Sequence, residues 1–249
     1  MNIEGDWKRI KAHRERLSDE DIRGLAEILF FNQEDWLEEK LRFREDEALV
    51  LEILGCLGHS GSVKAAKTLL KYLEAGEEVI QIAAAESLKL CQPDFVIEPL
   101  AQMMLKQGQG SVKAGEIIMS FGSEGAYVLW SLWFGESRSA GLRSQILQLL
   151  AEAKDERTEP LAFLAFLSEE EDLIRTALKT AEKMETMSLW GNVAECLRNP
   201  SWRIRGRAAQ ILGQWEEKRA LRYLYEMGND PDPWVEEERQ IAIIRLTES

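Results

Sequence analysis

Apolar residues recur along most of the chain at spacings of 0, +4, +7 and +8, which places them on one helical face. The clearest instance runs from Asn199 to Gly213. Pro200 sets a turn and can open a helix without loss of a backbone donor. Ile204, Ala208, Ile211 and Leu212 form the apolar face, and Gly213 predicts the stop.

The same register repeats. Anchoring each such helix on the first apolar residue of its core face gives Leu49, Ile80, Val112, Leu142, Ile174, Ile204 and Val235, spaced 31, 32, 30, 32, 30 and 31 residues apart. Leu57, Leu88, Leu150, Leu212 and Ile243 lie eight residues past their anchors, while Ser120 and Glu182 interrupt the pattern. Each period holds a second apolar helix, over 63–73, 96–105, 126–134, 161–167, 189–197 and 220–227. Gly58, Gly61, Gly76, Pro93, Gly108, Gly122, Gly135, Asn199-Pro200 and Asp230-Pro231 separate them. No run has the alternation of a strand. A period of about 31 residues with two helices predicts an all-α, α-α superhelix (solenoid) of about seven two-helix repeats, each burying its apolar face against its neighbours.

Residues 1–32 read as an N-terminal helical cap and residues 33–249 as one continuous repeat array. Within the cap, Trp7, Ile10 and Leu17 stand among Lys8, Arg9, Lys11, Arg14 and Arg16, which makes a basic amphipathic helix with a solvated face. Ser18, followed by Asp19, Glu20 and Asp21, predicts the start of the next helix.

Charge narrows the partners. The net charge is −13, and such a surface repels phosphate backbones, so no nucleic-acid partner is expected. Cys56, Cys91 and Cys196 are odd in number and far apart, which fits reduced, buried thiols in a cytoplasmic protein. No apolar run is long enough to span a membrane.

At the anchors the sequence resembles HEAT repeats, specifically the short bacterial type also found in phycobilisome-lyase-like proteins. That pattern is an Asp-Pro turn, then Val-Arg, then an Ala-rich helix ending in Leu-Gly. Asn199-Pro200, Ile204-Arg205, Ala208-Ala209 and Leu212-Gly213 match it nearly throughout, and Leu142-Arg143 and Ile174-Arg175 match the apolar-Arg pair. Asp230-Pro231 and Val235 match the turn, with Glu236 in place of Arg. The resemblance covers residues 33–246 and implies a structural ladder, in which Arg143, Arg175 and Arg205 pair with turns of following repeats. Arg205 is expected to face Asp230, and Arg175 to face Asn199. The resemblance also brings two alternatives to a scaffold: a cofactor-handling protein like the phycobilin lyases, and a HEAT-like DNA glycosylase, which the acidic surface disfavours.

No spacing carries chemistry. His-x-x-x-His, Cys-x-x-Cys and phosphate-loop motifs are absent, so no catalytic residue, metal or cofactor is assigned. Glu169-Glu170-Glu171-Asp172 reads as a solvated helix start. Arg198, Arg203, Arg205, Arg207, Lys218, Arg219 and Arg222 form a basic island followed by an acidic stretch, and the two are expected to pair between repeats.

Positions +2 and +6 point away from the core face. They are Leu51 and Gly55, Ile82 and Glu86, Ala114 and Ile118, Ser144 and Gln148, Thr176 and Thr180, and Gly206 and Gln210. On a concave side these would floor a groove, apolar in its first half and polar in its second. The expected function is therefore a non-enzymatic interaction scaffold that holds an amphipathic partner helix. Leu51, Ile82 and Ile118 would be the apolar anchors, and Glu86, Gln148 and Gln210 the polar contacts.

Overall fold

A computed structural model describes residues 51–248, apart from short gaps at 52–53, 56, 60–61, 76 and 136–137. The expectations for residues 1–50, including the cap, the Leu49 anchor and the helices over 18–43, lie outside the described residues. Among the described residues every regular element is a helix. The chain divides into two compact units, Met1–Leu132 and Trp133–Ser249.

In the first unit, helical residues within 51–59 precede α1 (Val63–Ala75), α2 (Glu78–Leu88), α3 (Pro93–Lys106), α4 (Ser111–Ser120) and α5 (Ser123–Trp133, whose last residue belongs to the second unit). α1 packs on α2 and α3, α3 on α4, and α2 on α4. Helices thus alternate between two layers, with Leu69, Leu73, Leu88, Leu100, Met104, Ile117, Ile118 and Leu129 buried between them. Pro93 opens α3 at a position whose N–H would be unpaired in any helix.

The second unit comprises α6 (Ala140–Glu152), α7 (Thr158–Phe166), α8 (Glu171–Lys183), α9 (Trp190–Glu195), α10 (Trp202–Gln214), α11 (Leu221–Glu226) and α12 (Pro233–Glu248), with short 3-10 turns around α9 and before α11. α6, α8, α10 and α12 form one layer, each packed on the next, and α7, α9 and α11 form the other. Both units are built of tandem helix pairs, the all-α repeat architecture that the spacing predicts.

Two anchors shift. α4 buries Ser111, Ala114, Gly115, Ile117 and Ile118, while Val112 is 60% exposed. The buried offsets match those of α2 (Gln81, Ala84, Ala85, Ser87, Leu88) only if the anchor is Gly110. α8 buries Leu173, Ile174, Ala177, Leu178 and Ala181, so its anchor is Leu173. The six anchors among the described residues are then Ile80, Gly110, Leu142, Leu173, Ile204 and Val235, spaced 30, 32, 31, 31 and 31. In this register Ile118 and Ala181 fill the +8 core position, and the breaks at Ser120 and Glu182 disappear.

The helix ends confirm this register. Lys154, Glu185 and Glu216 have φ of 54°, 51° and 52°, and each lies twelve residues past the anchor of α6, α8 and α10. The next N–H in each case reaches back to the +8 carbonyl: Asp155 to Leu150 (3.0 Å), Thr186 to Ala181 (3.0 Å) and Glu217 to Leu212 (3.4 Å). This is a Schellman closure that satisfies an orphaned helix carbonyl. Gly122, at φ 65°, holds the same position after α4. Gly213 is therefore not a stop. It lies inside α10, where a Cβ would come within 2.9 Å of the Ala242 Cα, so it serves the close approach of α12.

Candidate interaction surface

The layer formed by the second helix of each pair has a core face and, at +2 and +6, an outward one. In the corrected register these positions are Ile82 and Glu86 on α2, and Val112 and Glu116 on α4. Ile82 is 49% exposed and Val79, one turn earlier, is equally exposed. Glu86 and Glu116 are exposed as well. The first unit thus presents two neighbouring helices with the same arrangement, a β-branched apolar side chain followed four residues later by a carboxylate. Lys89 pairs with Glu86 at 2.6 Å along the rim. Lys113 donates to the buried Gln81 amide oxygen (3.4 Å), which ties α4 to α2.

Ile118 does not belong to this surface. It is 0% exposed, because α4 turns it into the core beneath α5, and the small Gly125 lets α5 approach so closely that any side chain there would meet the Ile118 carbonyl. Ala114, Thr176 and Thr180 are also buried rather than outward. Leu51 and Gln210 are half-buried, and Gln148 is exposed.

In the second unit the outward row differs in character. It consists of Ser144 and Gln148, Arg175 and Lys179, Gly206 and Gln210, then Glu237 and Ile241. Trp234 of α12 lies across Gly206, where any Cβ would strike its ring. Trp202 meets Trp234 edge-on at 5.7 Å, and Arg203 covers the outer side of Trp202 at 4.6 Å. Arg207 bridges Gln210 and Glu182. At α10 this face is covered by the protein's own side chains, while Gln148, Arg175, Lys179 and Glu237 along the same row are exposed.

Among the described residues the ladder has one fully built rung. Arg205 Nε and Nη2 donate to both Asp230 oxygens (2.7 and 2.9 Å), and Nη1 donates to the carbonyls of Asn199 and Pro200 (2.9 and 2.8 Å). Asp230 Oδ1 also accepts the Asp232 N–H (2.9 Å). The hydrogen bonds and charge of Arg205 hold the Asp230 carboxyl below its usual range. Glu236 accepts hydrogen bonds from the Arg239 guanidinium and, more weakly, from the Asp230 N–H, which together bring its pKa to about 2. Arg175 does not face Asn199. It pairs with Asp172 one turn earlier on its own helix (3.1 Å), because it sits at +2 and Ile174 occupies the ladder position. Arg143 is at the ladder position but donates to the Trp133 carbonyl (3.4 Å) and lies 5.9 Å from that indole.

The basic island is largely neutralised within the other layer. Arg198 bridges Glu195 and Glu226 at 3.0 Å each, Arg222 pairs with Glu226, and Arg219 with Glu217 (both 2.6 Å). Arg219 also stacks 4.4 Å from Trp190. Burial pushes the Cys91 thiol up to about 11, and burial with the nearby Glu195 charge pushes Cys196 to about 12, so neither is a nucleophile at neutral pH. Among the described residues no group of His, Cys, Asp and Glu is placed to hold a metal ion, and no helix is long and apolar enough to cross a membrane.

Val112 and Glu116 are the surface residues that sequence reasoning missed. A glycine at the true anchor concealed the register, and the break at Ser120 was the signal that could have found it, since the apolar Ile118 lies eight residues past Gly110.

No protein-family model and no curated protein sequence matches the chain. Among solved structures it is similar to human deoxyhypusine hydroxylase in complex with glycerol, at 17% identity over 86% of this chain and 84% of that one, with a TM-score of 0.42. An engineered protein matches at 14% identity over 92% of this chain and 71% of that one, with a TM-score of 0.43. A designed armadillo repeat protein matches at 14% identity over 85% and 98%, with a TM-score of 0.32. These likenesses are loose, and the functional reading rests on the molecule's own surfaces.

Proposed function

We propose that the protein is a non-catalytic interaction scaffold of the HEAT-like kind, and that the outward row of its first unit receives an amphipathic partner helix. The observation that carries this reading is the repeated pair, Ile82 with Glu86 and Val112 with Glu116, on adjacent helices of one layer. Two half-exposed β-branched side chains in register offer an apolar seam to a helix laid across them. The carboxylates beside the seam favour lysine or arginine at the edges of that helix and disfavour acidic competitors.

The test begins with affinity capture from the source cell and mass spectrometry, followed by calorimetric titration of the captured partner. Ile82→Asp and Val112→Asp should each weaken binding about tenfold or more, since each places a charge in a desolvated contact, while the melting temperature stays within a few degrees of the parent. Undiminished affinity in both variants would remove this surface from the function.

A further inference from the structure

In the second unit, α7 differs from the other first-layer helices. Its core face is Thr158, Leu161, Ala162 and Ala165. Pro160, Phe163, Leu164 and the following Leu167 are all exposed, and at 100° per residue they form a stripe centred on the side opposite the core. Phe163, Leu164 and Leu167 are 43%, 39% and 64% exposed. The outer face of α3 is polar (Glu98, Gln102 and Lys106) and that of α1 largely so (Lys67, Lys71 and Glu74), whereas α5 exposes the single Tyr127 and α11 exposes Tyr225 beside Arg222 and Glu226. The run of four on α7 is thus the most apolar of these faces among the described residues. A helix apolar on all sides normally lies inside a protein, whereas this one covers the surface.

The charge around the stripe selects its occupant. Residues 155–172 carry seven carboxylates against one cation, Arg157. That cation is turned toward Asp155 at 3.3 Å. Glu159 is held at the edge of α7 by the Ser188 hydroxyl (2.5 Å), and Glu169 and Glu170 are exposed beyond its C-terminal end. We propose that the Pro160–Leu167 stripe is a second docking surface, and that it takes a short cationic amphipathic helix from a protein partner. A second copy of this same surface would bring like charge against like charge, and an anionic membrane surface would be repelled by the same carboxylates. The stripe is about two helical turns long, so one face of a ten-residue helix would cover it. This surface does not depend on the seam at Ile82 and Val112, and either can fail without the other.

The test uses the full chain and a synthetic helical peptide of leucine and lysine, with leucines at i, i+3, i+4 and i+7 and a benzophenone crosslinker on the apolar face. Photo-adducts mapped by mass spectrometry should fall within residues 158–168. Leu164→Gln and Leu167→Gln, both at exposed positions, should each lower the affinity about tenfold with unchanged circular dichroism, whereas Val112→Asp should leave these adducts in place. A leucine and glutamate peptide of the same pattern should not bind. Adducts confined to other segments, or affinity indifferent to both Gln variants, would overturn the proposal. So would stripe-dependent binding to phosphatidylcholine and phosphatidylglycerol vesicles, or a stripe-dependent dimer in sedimentation.

Discussion

Removing the Arg205 side chain tests the ladder most sharply. Its guanidinium makes four hydrogen bonds, two of them to Asp230, and the side chains of the pair are only 15% and 4% exposed. Arg205→Ala would leave a carboxylate buried without its cation. Breaking a buried pair from one side costs about 3–5 kcal/mol. Here the Asp232 N–H still reaches Asp230, and slight exposure lets water help, so about 2–4 kcal/mol is the expected loss. That is comparable to Leu212→Ala, which removes a fully buried +8 side chain at a cost of about 2–5 kcal/mol. Urea melts of both variants and of Arg205→Ala/Asp230→Asn provide the measurement. Asn retains the turn without the charge, so the double variant should recover more than about 1 kcal/mol relative to the additive sum. The pH dependence carries its own sign. The folded Asp230 pKa is depressed, so its stabilising effect is present above about pH 4 and is lost as pH falls through the folded value. The gap between parent and Arg205→Ala should therefore narrow toward acid. A loss below about 1 kcal/mol, or a gap independent of pH between 7 and 3, would refute the buried-pair reasoning.

Two further outcomes are expected. Lys154→Gly, Glu185→Gly and Glu216→Gly should each stabilise the protein by about 0.5–1 kcal/mol in denaturant melts, because a side chain is strained in the left-handed conformation that each adopts. Cys91 and Cys196 should resist a thiol reagent in the folded protein and react after unfolding. Because their folded values of about 11 and 12 exceed the unfolded thiol value of about 8.5, stability should decline as pH rises above that value.

The two-helix period was legible in the sequence because burial repeats with it. Ile80, Leu142, Ile204 and Val235 were placed correctly by their apolar character alone. Gly110 could not be, since a glycine gives no apolar signal, and Val112 two residues later took its place. At α8 the adjacent Leu173 and Ile174 are both buried, so local spacing did not distinguish them. The stops were misread because the chain uses Lys154, Glu185 and Glu216 where glycine is customary, and places Gly213 where two helices need to touch. The α7 stripe looked like core in the sequence. Only burial showed that half of its apolar residues face outward.

The register of α4 decides which of its side chains face outward, and paired melts of Val112→Asp and Ile118→Asp test it directly. Val112 is 60% exposed and Ile118 is wholly buried. Val112→Asp should change stability by no more than about 0.5 kcal/mol, while Ile118→Asp should lose about 4 kcal/mol or fail to fold, since it buries an unpaired charge. Loss of folding in Val112→Asp together with a native melt for Ile118→Asp would contradict the register and the seam built on it.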